Sequence, residues 1–134
     1  MNSRLLLDTH ALVRWLASPK KLTREQNRVL RDAVRTRELV GVSAITLLEL
    51  AVLFGHGSAR TVVPANELLG ELEGNPAFEI LPLTFAIASE VAAIGRALRD
   101  PADRAIVATA RVHKLRLVTS DERIIESELV PVVA

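Results

Sequence analysis

Short apolar runs alternate with longer segments of helical periodicity along the chain. The apolar runs predict β-strands at residues 4–7, 39–42, 78–83, 115–119 and 129–133. The segments between them predict helices at residues 9–17, 22–37, 44–54, 64–73, 84–98 and 102–114, with a loop at 55–58 and a short helical turn at 121–126. Strands alternating with helices predict an α/β fold, a three-layer α/β/α sandwich with a central, mostly parallel sheet.

Composition narrows the class of protein. Residues 1–134 are 49% hydrophobic with a net charge of +1, which predicts a single globular domain rather than a disordered chain. The absence of Cys excludes disulfides and thiolate metal sites. No apolar run is long enough for a membrane span or an export signal, so we expect a cytoplasmic protein without membrane contact. The small net charge argues against binding nucleic acid by bulk charge alone.

Four carboxylates occupy positions where an unpaired charge is costly. Asp8 and Asp121 each follow an apolar run, at the carboxyl end of a predicted strand. Glu49 lies inside the apolar helix 44–54, and Asp103 continues the apolar side of helix 102–114. Ligands of parallel α/β sheets bind beyond the carboxyl ends of the strands, so we expect these four side chains to converge there.

Converging carboxylates repel one another and raise one another's pKa. A hard divalent cation removes that penalty, and Mg²⁺ or Mn²⁺ prefers oxygen ligands. Such an ion activates water and neutralises charge that develops on a phosphodiester. The pattern therefore predicts metal-assisted hydrolysis of phosphodiester bonds.

Helix capping is the alternative role for the aspartates. Asp8, Asp100, Asp103 and Asp121 all stand where a helix begins, and aspartate is a favoured N-cap. Glu49 lies in mid-helix and caps nothing, so its alternative is a buried ion pair with an arginine.

Polar neighbours of the four acids form a second group. We expect Thr9, Asp100, Thr119 and Ser120 to orient the metal ligands or a water molecule, although all four are also ordinary capping residues.

A stripe of arginines follows one side of helix 22–37. The stripe consists of Arg24, Arg28, Arg31 and Arg35, at spacings of four, three and four residues. Such a stripe is usually a solvated face. Arginine also binds phosphate well, so contact with RNA or a partner protein is the alternative. The apolar side of the same helix includes Val34.

Several sequence motifs resemble the PIN domain family, and more narrowly the VapC-type toxins of type II toxin–antitoxin pairs. They are LLLDTHALVRWL, SAITLLEL, DPADRAIVATARVHKLRLVTSD and the terminal VPVV, in the family's order. The resemblance implies a Mg²⁺- or Mn²⁺-dependent endoribonuclease whose acidic quartet is Asp8, Glu49, Asp103 and Asp121. In that family three of the four positions form the usual metal-site core, and the fourth is more variable. Asp100 matches the Asp-Pro-x-Asp-Arg variant of the motif and lies outside the quartet.

The resemblance also implies a mechanism and partners. Water, rather than the RNA 2′-hydroxyl, would be the nucleophile, leaving 5′-phosphate and 3′-hydroxyl ends. Homodimers and inhibition by a cognate antitoxin are usual in the family.

Two other functions fit the same sequence. One is a PIN nuclease in housekeeping RNA processing, and the other is a catalytically silent binding module whose carboxylates only cap helices and form ion pairs. Other enzyme classes fit less well, because the chain has no P-loop, no GxGxxG and no GxSxG motif.

Overall fold

The structure, a computed structural model, describes residues 4–55 and 64–134. Its strands are β1 (Leu5–Leu7), β2 (Val40–Ser43), β3 (Phe78–Leu81), β4 (Arg116–Val118) and β5 (Val132–Val133). Its helices are α1 (Thr9–Ala17), α2 (Arg24–Arg35), α3 (Ala44–Phe54), α4 (Ala65–Gly74), α5 (Phe85–Ile94), α6 (Pro101–His113) and α7 (Glu122–Ser127). Short 3₁₀ turns lie at Pro19–Lys21 and Gly95–Ala97. The predicted loop at residues 55–58 falls outside the described residues after Gly55.

The sheet has the strand order β3-β2-β1-β4-β5, and every pairing in it is parallel. In the central strand, Leu5 pairs with Val40 of β2 on one side and with Arg116 of β4 on the other. Strands β2 and β3 lie on one side of β1, and the chain then crosses over to add β4 and β5 on the other side. The carboxyl ends of β1 and β4 therefore lie beside a topological switch point, where open α/β sheets bind ligands.

The core lies on both faces of the sheet, as the predicted sandwich requires. Leu5 and Leu7 pack into one apolar cluster with side chains of α1, α2, α3 and α4. Leu6 points the other way and packs with side chains of α5, α6 and α7. Side chains alternate along a strand, so three consecutive leucines serve both layers. This arrangement confirms the predicted three-layer α/β/α fold.

Several helices begin or end at other residues than the sequence predicts, and local interactions explain the differences. Helix α2 begins at Arg24 rather than 22, because Thr23 and Gln26 form a reciprocal capping box at its start. The helix predicted at 84–98 ends at Ile94, because Gly95 adopts a φ of +57° and starts a 3₁₀ turn. Val34 is 52% exposed, so the predicted apolar side of α2 is narrower than expected. No helix within the described ranges is long and apolar enough to span a membrane.

Candidate active site

Asp8 joins the end of β1 to the start of α1. Its Oδ1 accepts a hydrogen bond of 2.7 Å from the backbone N–H of Ala11, which makes it the N-cap of α1. Its Oδ2 accepts a hydrogen bond from the hydroxyl of Thr119. Burial raises the pKa of Asp8 despite these two bonds, which favour the charged form. The side chain that caps α1 is therefore the same one that the sequence predicts for the active site.

Glu49 reaches the same edge from α3. The Thr9 hydroxyl donates to Glu49 Oε1 at 2.5 Å, and the Thr46 hydroxyl lies 3.0 Å from Thr9 Oγ1. Because the single proton of Thr9 goes to Glu49, Thr46 must donate to Thr9. Among the described residues, the partner of the Glu49 carboxylate is therefore the Thr9 hydroxyl, which Thr46 supports in turn, rather than the arginine of the alternative interpretation.

The surroundings of Glu49 are more open than the apolar sequence around it suggests. Glu49 itself is half-buried. Its helical neighbours Leu48, Val52 and Leu53 are 59%, 65% and 51% exposed. The carboxylate therefore stands at the margin of the core, where a ligand can reach it.

Asp103 lies in the first turn of α6, and Asp100 caps that helix. Asp100 Oδ1 accepts from the backbone N–H groups of Ala102 and Asp103, at 2.8 and 3.1 Å. The capping role predicted for both aspartates thus belongs to Asp100. Burial, followed by the charges of Asp100 and Asp121, raises the pKa of Asp103 to about 6.

Asp121 caps α7 and is paired with an arginine. Its Oδ1 accepts from the backbone N–H of Arg123 at 2.9 Å, and the Arg123 guanidinium donates to both carboxylate oxygens, at 3.3 and 3.1 Å. These hydrogen bonds lower the pKa of Asp121. Arg123 also approaches Asp103 at 3.9 Å. Arg123 is not among the residues predicted from the sequence, where its only signal is its place two residues after Asp121.

Thr119 and Ser120 hold the loop between β4 and α7. Thr119 is fully buried, donates to Asp8 and accepts from the backbone N–H of Asp121 at 3.1 Å, so it links two of the acids. The Ser120 hydroxyl accepts from Nε2 of Gln26, at 3.0 Å. Gln26 is also fully buried and donates to the carbonyl of Val133 at 3.2 Å. Gln26 was not predicted to support the site. The only feature that marks it in the sequence is its capping-box spacing from Thr23.

The structure places each of the four predicted acids within electrostatic range of at least one of the others. Asp121 raises the pKa of both Asp8 and Asp103, and Glu49 also raises the pKa of Asp103. Such mutual effects require short separations, because water and salt screen distant charges. The sequence prediction of convergence at the carboxyl edge of the sheet agrees with this geometry.

The chemistry of this donor set fits a hard divalent cation. All four groups are carboxylates, and a cation would offset the cost of the charges on Asp8 and Asp103. Across residues 4–55 and 64–134, no three acidic or histidine side chains already stand at metal-holding distances. Binding would therefore draw the carboxylates inward, including Asp121 from its pair with Arg123.

The arginine stripe of α2 is partly neutralised on its own helix. Arg28 pairs with Glu25 and, at 3.7 Å, with Asp32, while Arg35 pairs with Asp32 at 3.4 Å. Such exposed pairs are typical of a solvated helix face. Contact of this stripe with RNA or a partner stays a prediction.

A wholly parallel sheet with carboxylates beside its switch point defines an α/β protein with an acidic site at the carboxyl edge of the sheet. Residues 5–127 match the model of the PIN domain, and the chain therefore belongs to the PIN domain family. It is similar to Ribonuclease VapC22 of Mycobacterium tuberculosis, with 31% identity over 121 residues that cover 90% of this chain and 88% of that protein.

Solved structures show the same fold. FitAcB from Neisseria gonorrhoeae has a TM-score of 0.70 at 27% identity, and the match covers 97% of this chain and 96% of that chain. A toxin–antitoxin complex from Klebsiella pneumoniae has a TM-score of 0.61 at 23% identity, over 87% of this chain and 86% of that chain.

Proposed function

We propose that this protein is an endoribonuclease, a hydrolase that acts as the toxin of a toxin–antitoxin pair. The observation that carries the proposal is the cluster of Asp8, Glu49, Asp103 and Asp121 at the switch point of a PIN-family sheet. The relative at 31% identity, named a ribonuclease, supports RNA as the substrate. A cytoplasmic location follows from such a substrate.

Mg²⁺ or Mn²⁺ is the proposed cofactor, held by the carboxylates of the same four residues. When bound, such an ion supplies an activated water and neutralises charge on the phosphodiester. Around it, the Thr119 hydroxyl orients Asp8 and the Thr9 hydroxyl orients Glu49. Bonds of this kind fix the direction of a carboxylate before its ligand arrives.

Arg123 gives the site a positive group that faces solvent. Its side chain is 76% exposed, and its guanidinium lies between Asp121 and Asp103. A guanidinium binds two phosphate oxygens at once. We therefore assign Arg123 to a non-bridging phosphate oxygen of the substrate, which frees Asp121 for the metal. Attack by water would leave 5′-phosphate and 3′-hydroxyl ends.

The proposed partners are a cognate antitoxin and a second copy of the chain. The Klebsiella pneumoniae structure of the same fold is a toxin–antitoxin complex, which supports the first. The exposed apolar side of α3, with Leu48 and Val52, supports the second, because large exposed apolar side chains often mark protein interfaces.

Cleavage of labelled cellular RNA by the purified protein tests the proposed activity. We expect cleavage with Mg²⁺ or Mn²⁺, and none with EDTA. Asp8→Asn and Asp103→Asn should abolish cleavage while leaving the fold intact. Asp32→Asn is the matched control, because Asp32 is an exposed aspartate of α2. Full activity in either site variant would contradict the proposal.

Induced expression separates a toxin from a housekeeping nuclease. We expect growth arrest and new RNA 5′ ends with the native chain, and neither with Asp8→Asn. Normal growth, despite cleavage in vitro, would favour RNA processing instead. A silent binding module would give no heat on calorimetric titration with Mn²⁺.

A further inference from the structure

Two clefts flank the exposed side of α1, and both are lined by His10 and Arg14. These two residues are one helical turn apart, so they form a ridge between the clefts. The first cleft, of about 160 Å³, includes Asp8 and Asp121 in its lining and is therefore part of the acidic site. The ridge thus borders the place where a phosphodiester would be cleaved.

The second cleft combines positive charge with an apolar wall. It has a volume of about 260 Å³, and its lining includes Lys21, Leu53 and Phe54. Leu53 lies one helical turn after Glu49, so this wall continues from the acidic site along α3. Leu53 is half-exposed and Phe54 is half-buried, which leaves apolar surface for a ligand to cover.

The cations of this ridge differ from the two paired arginines of α2. None of the ion pairs of the described residues involves His10, Arg14 or Lys21. On α2, Arg28 and Arg35 are paired with acids of their own helix, whereas Arg24 and Arg31 make none of these ion pairs and, unlike Arg14, line no cleft that includes the acids of the site. An arginine without a carboxylate partner keeps its full fork of donors for a phosphate.

We propose that the ridge and the second cleft bind a single-stranded segment of RNA next to the bond that is cleaved. Arg14, with Lys21, contacts a phosphate that flanks the scissile one, and an unstacked base lies against Leu53 and Phe54. The proposal rests on the ribonuclease function argued above. Phosphate contacts beside an aromatic platform are the usual way of binding single strands, and a base inside a duplex could not enter the cleft.

Binding of a fluorescein-labelled oligouridylate, measured over a series of salt concentrations, tests this site. The Asp103→Asn background prevents cleavage during the measurement. Arg14→Gln should weaken binding and reduce the slope of log K against log salt by about 0.7, the share of one phosphate contact on a single strand. Arg96→Gln is the matched control, because Arg96 is an exposed arginine of the 3₁₀ turn at Gly95–Ala97 and lines neither cleft, and its slope should equal that of the background.

A second variant tests the apolar wall. Phe54→Leu keeps most of the apolar volume and should weaken binding several-fold without changing the salt slope, because it removes only stacking. A thermal melt checks that this variant remains folded. Affinity for a duplex of the same length should be insensitive to Phe54→Leu.

The outcomes separate the site from the function. An unchanged slope in Arg14→Gln, or an equal loss in Arg96→Gln, overturns the ridge as the RNA site even when the native protein cleaves RNA. Loss of antitoxin binding in Arg14→Gln, with RNA binding intact, overturns it in favour of a protein ligand. If the native protein binds the oligouridylate through Arg14 but cleaves no RNA with either metal, the proposed function fails and the binding site stands.

Discussion

The two carboxylate oxygens of Asp8 have different hydrogen-bond partners at the centre of the site. Asp8 Oδ1 caps α1 and Oδ2 accepts from Thr119, so backbone and side chain together fix the plane of the carboxylate. The group is buried, and its charge is therefore costly in the absence of a cation. We therefore expect the buried charge of Asp8, which the proposed function needs, to lower the free energy of unfolding when no cation is bound.

Asp8→Asn should therefore stabilise the protein in EDTA. Burial raises the pKa of Asp8 above its unfolded value, so the charged form lowers the free energy of unfolding at neutral pH. Asparagine removes the charge and keeps the cap through Oδ1, while its NH₂ group donates to the Thr119 hydroxyl in place of the bond that Thr119 donates to Asp8. We expect Tm to rise by a few degrees, since about 1 kcal/mol shifts Tm by about 4 °C in a domain of this size.

The pH dependence gives this prediction a second readout. The native protein becomes protonated at Asp8 as the pH falls, so its stability should approach that of Asp8→Asn in acid. The advantage of the variant should be largest above the pKa of Asp8. Added Mn²⁺ should raise the Tm of the native protein and leave that of Asp8→Asn nearly unchanged. A lower Tm for the variant in EDTA would contradict the argument.

Gln26 offers a test of how the loop that carries Asp121 is held. Gln26→Met removes three bonds from a fully buried position, to Ser120, to Val133 and to the backbone N–H of Thr23, and should cost about 3 kcal/mol of unfolding free energy. Ser120→Ala removes only one of these bonds and should cost about 1 kcal/mol or less. The double variant should be no less stable than Gln26→Met, because the shared bond is already lost. Additive costs in urea unfolding would show that the two side chains act independently.

At the scale of the elements, three helices begin at the site. Asp8, Asp100 and Asp121 cap α1, α6 and α7, and these N-termini carry the positive ends of the helix dipoles. The dipoles favour negative charge at this edge of the sheet. The same caps that start the helices thus bring their carboxylates together.

Asp100 allows the cap and the charge to be separated at α6. Asp100→Ala removes both and should cost about 1 kcal/mol of unfolding free energy, whereas Asp100→Asn keeps the cap and should cost much less. Both variants should lower the pKa of Asp103 from about 6, because both remove the charge of Asp100. Thermal melts check the first expectation, and NMR titration of the Asp103 carboxyl checks the second. Equal melting temperatures for the two variants would rule out the cap as a stabilising bond.

Element boundaries could be predicted where the sequence itself starts or stops a helix. Ser43 caps α3 and Ser18-Pro19 ends α1, and both helices have their predicted bounds. The break at Gly95 could not be predicted, because a glycine within apolar periodicity does not reveal its φ. Strand β5 is shorter than its apolar run because only Val132 and Val133 pair with β4.

At the scale of the whole molecule, the apolar side of α3 predicts an oligomer. Leu48→Lys and Val52→Lys should convert a dimer to a monomer in multi-angle light scattering, because each charge would have to lose its hydration in the interface. Val34→Lys is the matched control, since Val34 is a similarly exposed apolar residue on α2. A native protein that is monomeric at all concentrations would contradict the proposed homodimer.

The sequence singled out the four acids and, in Thr9 and Thr119, two of the hydroxyls that bind them, but not which acid each hydroxyl binds. An acid at the end of an apolar run stands out in a single chain, as Asp8 and Asp121 do. The bond between Gln26 and Ser120, and the hydroxyl pair that holds Glu49, join residues far apart in sequence. Only the packing of the sheet brings such partners together, so no local pattern could reveal them.

The order of the strands also determines when, during synthesis, the site can first exist. Asp8 and Glu49 belong to the first half of the chain, whereas Asp103 and Asp121 arrive only with α6 and the segment after β4. A nascent chain that has emerged only as far as β3 has half of the carboxylates and lacks one neighbour of its central strand. With the proposed function, a partly made molecule that lacks these elements therefore cannot damage the messenger that encodes it, and the hazard to the cell begins only once α6 and β4 have been made.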